Sequence, residues 1–188
     1  MELATYELTL LIRGAKHQPF TEGQVKLLIE HLLKALTALH GMHMMHRDLK
    51  TQNVRARRER KMARRRLARP PLTSVSARAR SQVLVNTRGV LKLCDFGLSK
   101  RMEKGRMRKR RTSCVGTPSY MAPEMAVTGA DRHTADECDL TLIDVYAFGM
   151  LMWSVLSRGR PFDKEAREQR LNLYSLREKV ADGLRPSV

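Results

Sequence analysis

Apolar positions recur along the chain with spacings that predict three helices and one pair of strands. The clearest pattern runs from Thr21 to His40, where apolar residues lie three or four positions apart, as on one face of a helix. Thr21 and Gln24 have the spacing of a capping box, and Gly41 is a typical stop signal. The apolar face is formed by Val25, Leu28, Leu32, Leu36 and Leu39. This face is therefore predicted to be buried.

Further along the chain, two more helices and a hairpin are predicted. The stretch from Leu140 to Leu156 is almost continuously apolar, which is typical of a buried helix. Residues 165–181 have the amphipathic pattern of a third helix. Apolar runs at 83–85 and 90–94, separated by a turn at 86–89, predict a β-hairpin. The predicted fold is therefore mainly α (α+β), with a small strand hairpin.

The positive charge is concentrated in two segments. The 188 residues carry a formal net charge of +17. Residues 55–80 hold eleven Arg and Lys against the single acid Glu59, and residues 100–111 hold eight against Glu103. The rest of the chain carries equal numbers of basic and acidic residues. A neutral body with two basic segments points away from a nucleic-acid partner, which a uniformly basic domain would favour.

Cysteine usage and hydropathy exclude several classes of protein. The three cysteines form no Cys-x-x-Cys pair, which argues against a disulfide framework or a zinc ribbon and fits a reducing compartment. No apolar run reaches the ~18 residues of a membrane span, and the N-terminus shows no secretory signal. We therefore expect an intracellular protein, cytoplasmic or nuclear, with no membrane partner.

Three motifs carry the candidate chemistry. His46-Arg47-Asp48-Leu49-Lys50-Thr51-Gln52-Asn53 is followed by Asp95-Phe96-Gly97 and then by Ala122-Pro123-Glu124, with Gly116-Thr117-Pro118-Ser119-Tyr120 just before the last. In this order they resemble the catalytic loop, the metal-binding motif and the end of the activation segment of protein kinases. The resemblance makes residues 1–188 a partial kinase domain of large-lobe type, with residues 95–124 as the activation segment.

The resemblance implies ATP-dependent phosphorylation of Ser and Thr in protein substrates, with ATP and Mg²⁺ as cofactors. Asp48 would orient and deprotonate the attacking hydroxyl, and Lys50 would stabilise charge on the transferred phosphoryl group. Mg²⁺ prefers oxygen ligands, which Asn53 and Asp95 would supply. Met1–Ala4 would be the remainder of the adenine-contacting hinge. The residues expected beside the nucleotide are Glu2, Ala4, Lys50, Asn53 and Asp95.

Regulatory and structural roles are implied as well. Lys50 together with Thr117 resembles the serine/threonine type, with features of both cyclin-dependent and tyrosine-kinase-like families. Arg47 would bind a phosphorylated activation-segment residue, for which Thr112 and Ser113 are the candidates. Asp144 matches the helix aspartate that braces the catalytic-loop backbone. The residues expected to have structural roles are His46, Phe96, Gly97, Glu124 and Asp144.

The sequence also departs from the family pattern. It contains no Gly-rich loop and no Val-Ala-x-Lys strand, so we expect the small N-terminal lobe to be absent and phosphotransfer by this chain alone to be weak or lacking. A non-catalytic kinase-like scaffold and a basic nucleic-acid-binding module are the alternative functions. The oligomeric state is not predicted.

A basic, low-complexity insert is predicted at residues 54–82. Its deletion joins Asn53 to Val83 and restores the family spacing between the catalytic loop and Asp95. Our hypothesis is a retained intron in the gene model. An inert insert and a nuclear-localisation or nucleic-acid-binding patch are the other interpretations.

Overall fold

The computed structural model describes residues 6–14, 19–57, 90–101, 116–126 and 141–187. The predicted hinge residues Glu2 and Ala4, the candidate phosphorylation sites Thr112 and Ser113, and residues 58–82 of the predicted insert lie outside these ranges. The chain divides into two compact units. The described residues of the first lie within 1–35 and 51–94, and those of the second within 36–50 and 95–188.

The described residues form five short strands and six helices. In chain order they are β1 (Tyr6–Glu7), α1 (Leu8–Gly14), α2 (Glu22–Gly41), β2 (Met44–Met45), β3 (Val54–Arg57), β4 (Val90–Leu93), β5 (Lys100–Arg101), α3 (Pro123–Ala126), α4 (Thr141–Ser157), α5 (Asp163–Glu168) and α6 (Leu173–Ala181). Single 3₁₀ turns occur at Thr51–Asn53, Phe96–Leu98 and Pro118–Tyr120. Among the described residues, no helix is both long and apolar enough to cross a membrane.

The first unit is a three-stranded antiparallel sheet with helices beside it. β3 lies in the centre, paired with β1 on one side and with β4 on the other. Helix α1 contacts β1 and β3 and buries Leu8, Leu11 and Ile12. The sequence patterns did not predict α1, because seven residues give too short a window for helical periodicity to stand out.

β4 pairs with a strand that the hairpin prediction did not include. Val90 to Leu93 form a strand as predicted, but they pair with Arg57 to Val54. The predicted partner, 83–85, lies outside the described residues. Residues 54–57 read Val-Arg-Ala-Arg, and this alternation of small apolar and charged residues suits a strand with one face covered. The first four residues of the predicted insert are therefore in regular structure.

The second unit is built around α4. Its buried side chains include Ile143, Ala147, Leu151 and Val155, and the helix confirms the prediction from the apolar run. Met121, Ala122 and Met125 pack on Ile143 in one apolar cluster, which Tyr146 borders. This cluster places the 116–126 segment against α4. A two-stranded pair, β2 with β5, lies in the same unit.

Two helical predictions have different outcomes. Helix α2 is confirmed, with the Thr21 hydroxyl accepting from the Gln24 amide at 3.3 Å and the Gln24 side chain accepting from the Thr21 amide at 2.8 Å. The single helix predicted at 165–181 is wrong, because the chain forms α5 and α6 with a break between them. Asn172 accepts from the amides of Tyr174 and Ser175 and starts a new helix there.

Candidate active site

Three side chains of the second unit form a closed network of hydrogen bonds. The Lys50 Nζ donates to the Asp48 Oδ2 at 2.7 Å and to the Thr117 Oγ1 at 2.9 Å. The Thr117 hydroxyl donates to the Asp48 Oδ1 at 2.9 Å. Both oxygens of Asp48 thus accept from donors. Asp48 is 9% exposed, which places it at the edge of solvent. The network orients one carboxylate between a cation and a hydroxyl.

The backbone around Asp48 needs a residue without a side chain at position 116. Gly116 has φ +118°, and a Cβ there would lie 2.8 Å from the Arg47 carbonyl oxygen. This close approach brings Thr117 within reach of Asp48. Arg47 itself has φ +66°, a left-handed conformation that is uncommon for a residue other than glycine.

Asp144 holds the backbone of the catalytic loop through hydrogen bonds. Its side chain is fully buried in α4, and its two oxygens accept from the amides of His46 at 2.8 Å and Arg47 at 2.9 Å. His40, at the end of α2, places its Nε2 3.0 Å from the Asp144 Oδ2. A buried carboxylate needs hydrogen-bond donors. Here the backbone amides of the loop that Asp144 supports are such donors. The sequence suggested the contacts to the loop but not the contact to His40.

The same loop carries a half-buried guanidinium. Burial lowers the pKa of Arg47 below its usual value, while the charge of Asp144 opposes this shift. Arginine stays protonated in proteins, so Arg47 remains a cation. A small pocket beside it is lined by Arg47, Asp48, Gly116, Thr117 and Tyr120, among other residues. Positive charge thus lies next to the Asp48 network.

Asp95 opens the second motif in an unusual backbone conformation. It has φ +64° and ψ +69°, and its exposed side chain forms no cap on the following 3₁₀ turn. Short polar residues such as Asp adopt this conformation more readily than others. Phe96 places its ring centroid 5.1 Å from that of the buried His46. A Cβ at Gly97 would lie 3.3 Å from the Asp95 Oδ1, so glycine leaves room for that carboxylate.

Asn53 belongs to the first unit, whereas Asp48, Lys50 and Asp95 belong to the second. Asn53 is 5% exposed and ends the 3₁₀ turn that follows Lys50. Its carbonyl oxygen accepts from the Cys94 amide at 2.9 Å and from the Cys94 thiol at 3.3 Å. These bonds tie the last residue of the first motif to the residue before Asp95.

The remaining predicted residues have mixed outcomes. Glu124 is exposed on α3. Burial raises the pKa of the Tyr146 phenol, the charge of Arg185 opposes this shift, and the charge of Glu124 adds a smaller contribution that raises it. Glu2, Ala4, Thr112 and Ser113 lie outside the described residues, so their roles stay predictions. Tyr120 was identified from the sequence as part of the 116–120 motif, but its contact with Ser154, at 3.2 Å between the two hydroxyls, was not predicted.

Comparison with known proteins agrees with the motifs. The protein kinase domain family matches residues 1–67 and 80–182. The unmatched interval between them lies inside the predicted insert. Cyclin-dependent kinase G-1 of Oryza sativa subsp. indica is 31% identical over 172 residues, which cover 92% of this chain and 19% of that protein. Ribosomal protein S6 kinase alpha-2 of Mus musculus is 32% identical over 164 residues, which cover 87% of this chain and 17% of that protein.

A solved structure shares the fold. The crystal structure of the yeast RNA Pol II CTD kinase CTDK-1 complex matches 95% of this chain and 44% of the matched chain, with a TM-score of 0.64 and 22% identity. The chain spans about a fifth of the length of the two curated relatives, cyclin-dependent kinase G-1 and ribosomal protein S6 kinase alpha-2. The three ordered motifs, the kinase-like fold and the family match over most of its residues show that this chain belongs to the protein kinase family.

Proposed function

We propose that this chain transfers the γ-phosphoryl group of ATP to serine and threonine hydroxyls of protein substrates. The observation that carries the proposal is the network of Asp48, Lys50 and Thr117, on a loop whose backbone Asp144 holds. Phosphoryl transfer depends on positioning and on charge stabilisation more than on covalent chemistry by the protein. A loop that is hydrogen-bonded to Asp144 and presents one carboxylate and one ammonium group meets both needs.

Asp48 is the proposed base. Its Oδ1 now accepts from the Thr117 hydroxyl at 2.9 Å, and in the reaction one of its oxygens would accept the proton of the substrate hydroxyl. Lys50, 2.7 Å from the Asp48 Oδ2, would stabilise negative charge that develops on the transferred group. Thr117 bridges the two side chains, and Lys50 with Thr117 is the pair on which the predicted serine/threonine type rests.

Asn53 and Asp95 fit a magnesium site by the chemistry of their donors. An amide oxygen and a carboxylate are ligands that Mg²⁺ accepts, and Mg²⁺ commonly takes its other ligands from phosphates and water. Asp95 is exposed and its neighbour Gly97 leaves its carboxylate room. Bound with ATP, the metal would supply charge neutralisation on the phosphates. By their chemistry, Asp95 and Asn53 are the residues that would supply its protein ligands.

Arg47 is the proposed reader of regulatory phosphate. Its guanidinium is half-buried beside Asp48 and Gly116, and Thr112 and Ser113 precede Gly116 by only a few residues. A phosphate on either residue would pair with an arginine through charge-assisted hydrogen bonds. In a full-length protein, Thr112→Ala together with Ser113→Ala is expected to abolish activation. Unchanged activity in that double variant would contradict this role.

Phosphotransfer assays test the proposed function directly. The purified chain is incubated with Mg²⁺, γ-labelled ATP and peptides whose only acceptor is Ser, Thr or Tyr. We expect slow labelling of the Ser and Thr peptides, lowered about 100-fold or more by Asp48→Asn because the base is lost. Asp163→Asn, which changes an exposed carboxylate on α5, is the matched control and should label normally.

Binding of ATP is measured in parallel by thermal unfolding. Ligand that binds only the folded state raises the melting temperature, and we expect a rise with ATP and Mg²⁺ that Asp95→Asn removes. Binding without Asp48-dependent labelling would favour the scaffold alternative. Labelling of the tyrosine peptide alone, or no effect of ATP and Mg²⁺ on melting, would refute the proposal.

A further inference from the structure

Residues Leu184–Ser187 follow α6 without regular secondary structure, yet side chains and backbone hold them on the second unit. We refer to them as the C-terminal clasp. The Leu184 amide donates to the Lys179 carbonyl at 2.8 Å, and the Arg185 Nη1 donates to the Val180 carbonyl at 3.1 Å. The Arg185 guanidinium also lies 5.8 Å from the centroid of the Tyr146 ring, within cation–π range. The clasp is thus bound to α6 and α4.

Its last contact is with a buried carboxylate. The Ser187 amide donates to the Glu165 Oε1 at 2.6 Å, and the Ser187 side chain hydrogen-bonds the same residue. Glu165, on α5, is only 8% exposed. Burial by itself raises the pKa of Glu165, but the hydrogen bonds from Ser187, the bond from the backbone amide of Glu165 itself and the charge of Lys164 together place the pKa below its usual value. Ser187 is therefore one of the groups that favour the charged form of this carboxylate.

Ser187 is itself exposed, whereas the Glu165 carboxylate to which it donates is buried. Ser157 is also exposed, and among the described residues its hydroxyl forms hydrogen bonds with two neutral groups, the Trp153 carbonyl and the Gly159 amide. A phosphate on Ser187 would add about two negative charges at a group that already lies against a buried anion. Like charges at such distances repel each other, and water screens the repulsion less when one of the two groups is buried, as Glu165 is.

We propose that Ser187 is a phosphorylation site and that its modification opens the C-terminal clasp. A serine kinase acting in trans, which reads the arginine two residues before the acceptor, would supply the phosphate from ATP. The Ser187 Oγ forms a bond to the γ-phosphorus, the bond from that phosphorus to the ADP oxygen breaks, and the hydroxyl proton passes to the base of that kinase. The proposal does not depend on the activity of the present chain.

Opening the clasp would affect the packing of the segment that carries Thr117. Arg185 lies over Tyr146, and Tyr146 borders the cluster of Met121, Ala122, Met125 and Ile143. Loss of the guanidinium would leave Tyr146 without its cationic neighbour and loosen that cluster. Phosphorylation at Ser187 would thereby weaken the packing that positions Thr117 beside Asp48.

Hydrogen exchange on the full chain with phosphoserine encoded at position 187 tests the switch. We expect the amides of Leu184 and Ser187 to exchange at least tenfold faster than in the unmodified chain, with a smaller increase at 121–125. Phosphoserine at position 157 is the matched control and should leave these amides unchanged. In a Glu165→Gln background, the ratio of modified to unmodified rates should fall towards one, because the repelling charge is gone.

Mapping of phosphorylation by mass spectrometry tests the site. The chain is incubated with ATP and a purified arginine-directed serine kinase, and Ser187 is expected to be modified. An unmodified Ser187 would overturn the assignment. Unchanged or slower exchange with phosphoserine at 187, an equal effect of phosphoserine at 157, or an undiminished ratio in Glu165→Gln would overturn the switch.

Discussion

Gly116 and Asp144 both hold the catalytic loop in place. Gly116 does so because it has no side chain, and Asp144 does so through its carboxylate. Gly116 lets the 116–126 segment approach the Arg47 carbonyl, and Asp144 accepts from the amides of His46 and Arg47. Neither residue is proposed to touch the reacting atoms. Both determine where Asp48 lies, since Asp48 follows Arg47 directly.

Gly116→Ala is expected to lower the free energy of unfolding by about 1 to 3 kcal/mol, because an alanine at φ +118° is strained and its Cβ meets the Arg47 oxygen. Denaturant titration of the two proteins measures the difference. Gly149→Ala is the control, because Gly149 lies in α4 and an added Cβ would meet no atom within 4 Å beyond its chain neighbours and the backbone of its own helix. It should be neutral or stabilising, by up to about 1 kcal/mol. Equal effects of the two substitutions would argue against the close approach.

At the level of elements, the break between α5 and α6 has the clearest local cause. The amphipathic pattern continues across residues 169–172, but Arg170 adopts φ +50° and Asn172 caps the next helix. Ser175 completes the capping box by accepting from the Asn172 amide at 2.9 Å. Glu165 lies on the helix before the break and accepts from Ser187, which follows the helix after it.

Asn172→Ala is expected to destabilise the protein by about 1 kcal/mol, because the amides of Tyr174 and Ser175 lose their acceptor. Thermal and denaturant unfolding report the change. Asn172→Asp retains an oxygen acceptor at the cap and should stay close to the unsubstituted chain. A loss as large in Asn172→Asp as in Asn172→Ala would show that the capping oxygen is not what matters.

At the scale of the whole molecule, Glu165 joins α5 to the residues after α6. The pKa of Glu165 is lowered in the folded state, so its charged form stabilises the fold. That contribution is fully present above the pKa of the unfolded chain, near 4.3 for a glutamate, and is lost as the pH falls through the lower folded value.

Glu165→Gln removes this titration. We expect the difference in unfolding free energy between the chain and Glu165→Gln to be constant from pH 7 to about pH 5 and to shrink below about pH 4.3. Urea titrations across this range measure it. A difference that stays constant down to pH 3, or that grows as the pH falls, would contradict a lowered pKa.

The predicted insert at 54–82 also bears on the stability of the whole molecule. Deleting it replaces β3 by 83–85, whose Val-Leu-Val sequence suits a covered strand better than the two arginines of Val54–Arg57. We expect the shortened chain to fold with equal or higher thermal stability. Failure to fold would contradict the insert hypothesis, as would transcripts that encode 57–69 in abundance.

The sequence by itself determined the features that depend on neighbours along the chain. The three ordered motifs, the capping box at Thr21 and the apolar run of α4 are all read from short windows, because local periodicity and capping need only adjacent residues. The family resemblance then led from those motifs to the residues of the candidate site.

Only the tertiary structure decided which distant residues meet. Asp144 lies 97 and 98 positions from the amides it accepts from, His40 lies 104 positions from Asp144, and Thr117 lies 69 positions from Asp48. The pairing of β4 with β3 and the contact of Ser187 with Glu165 are of the same kind. Such contacts depend on how apolar faces pack against each other, and a pattern of residues along one element specifies that a face is buried without specifying what covers it.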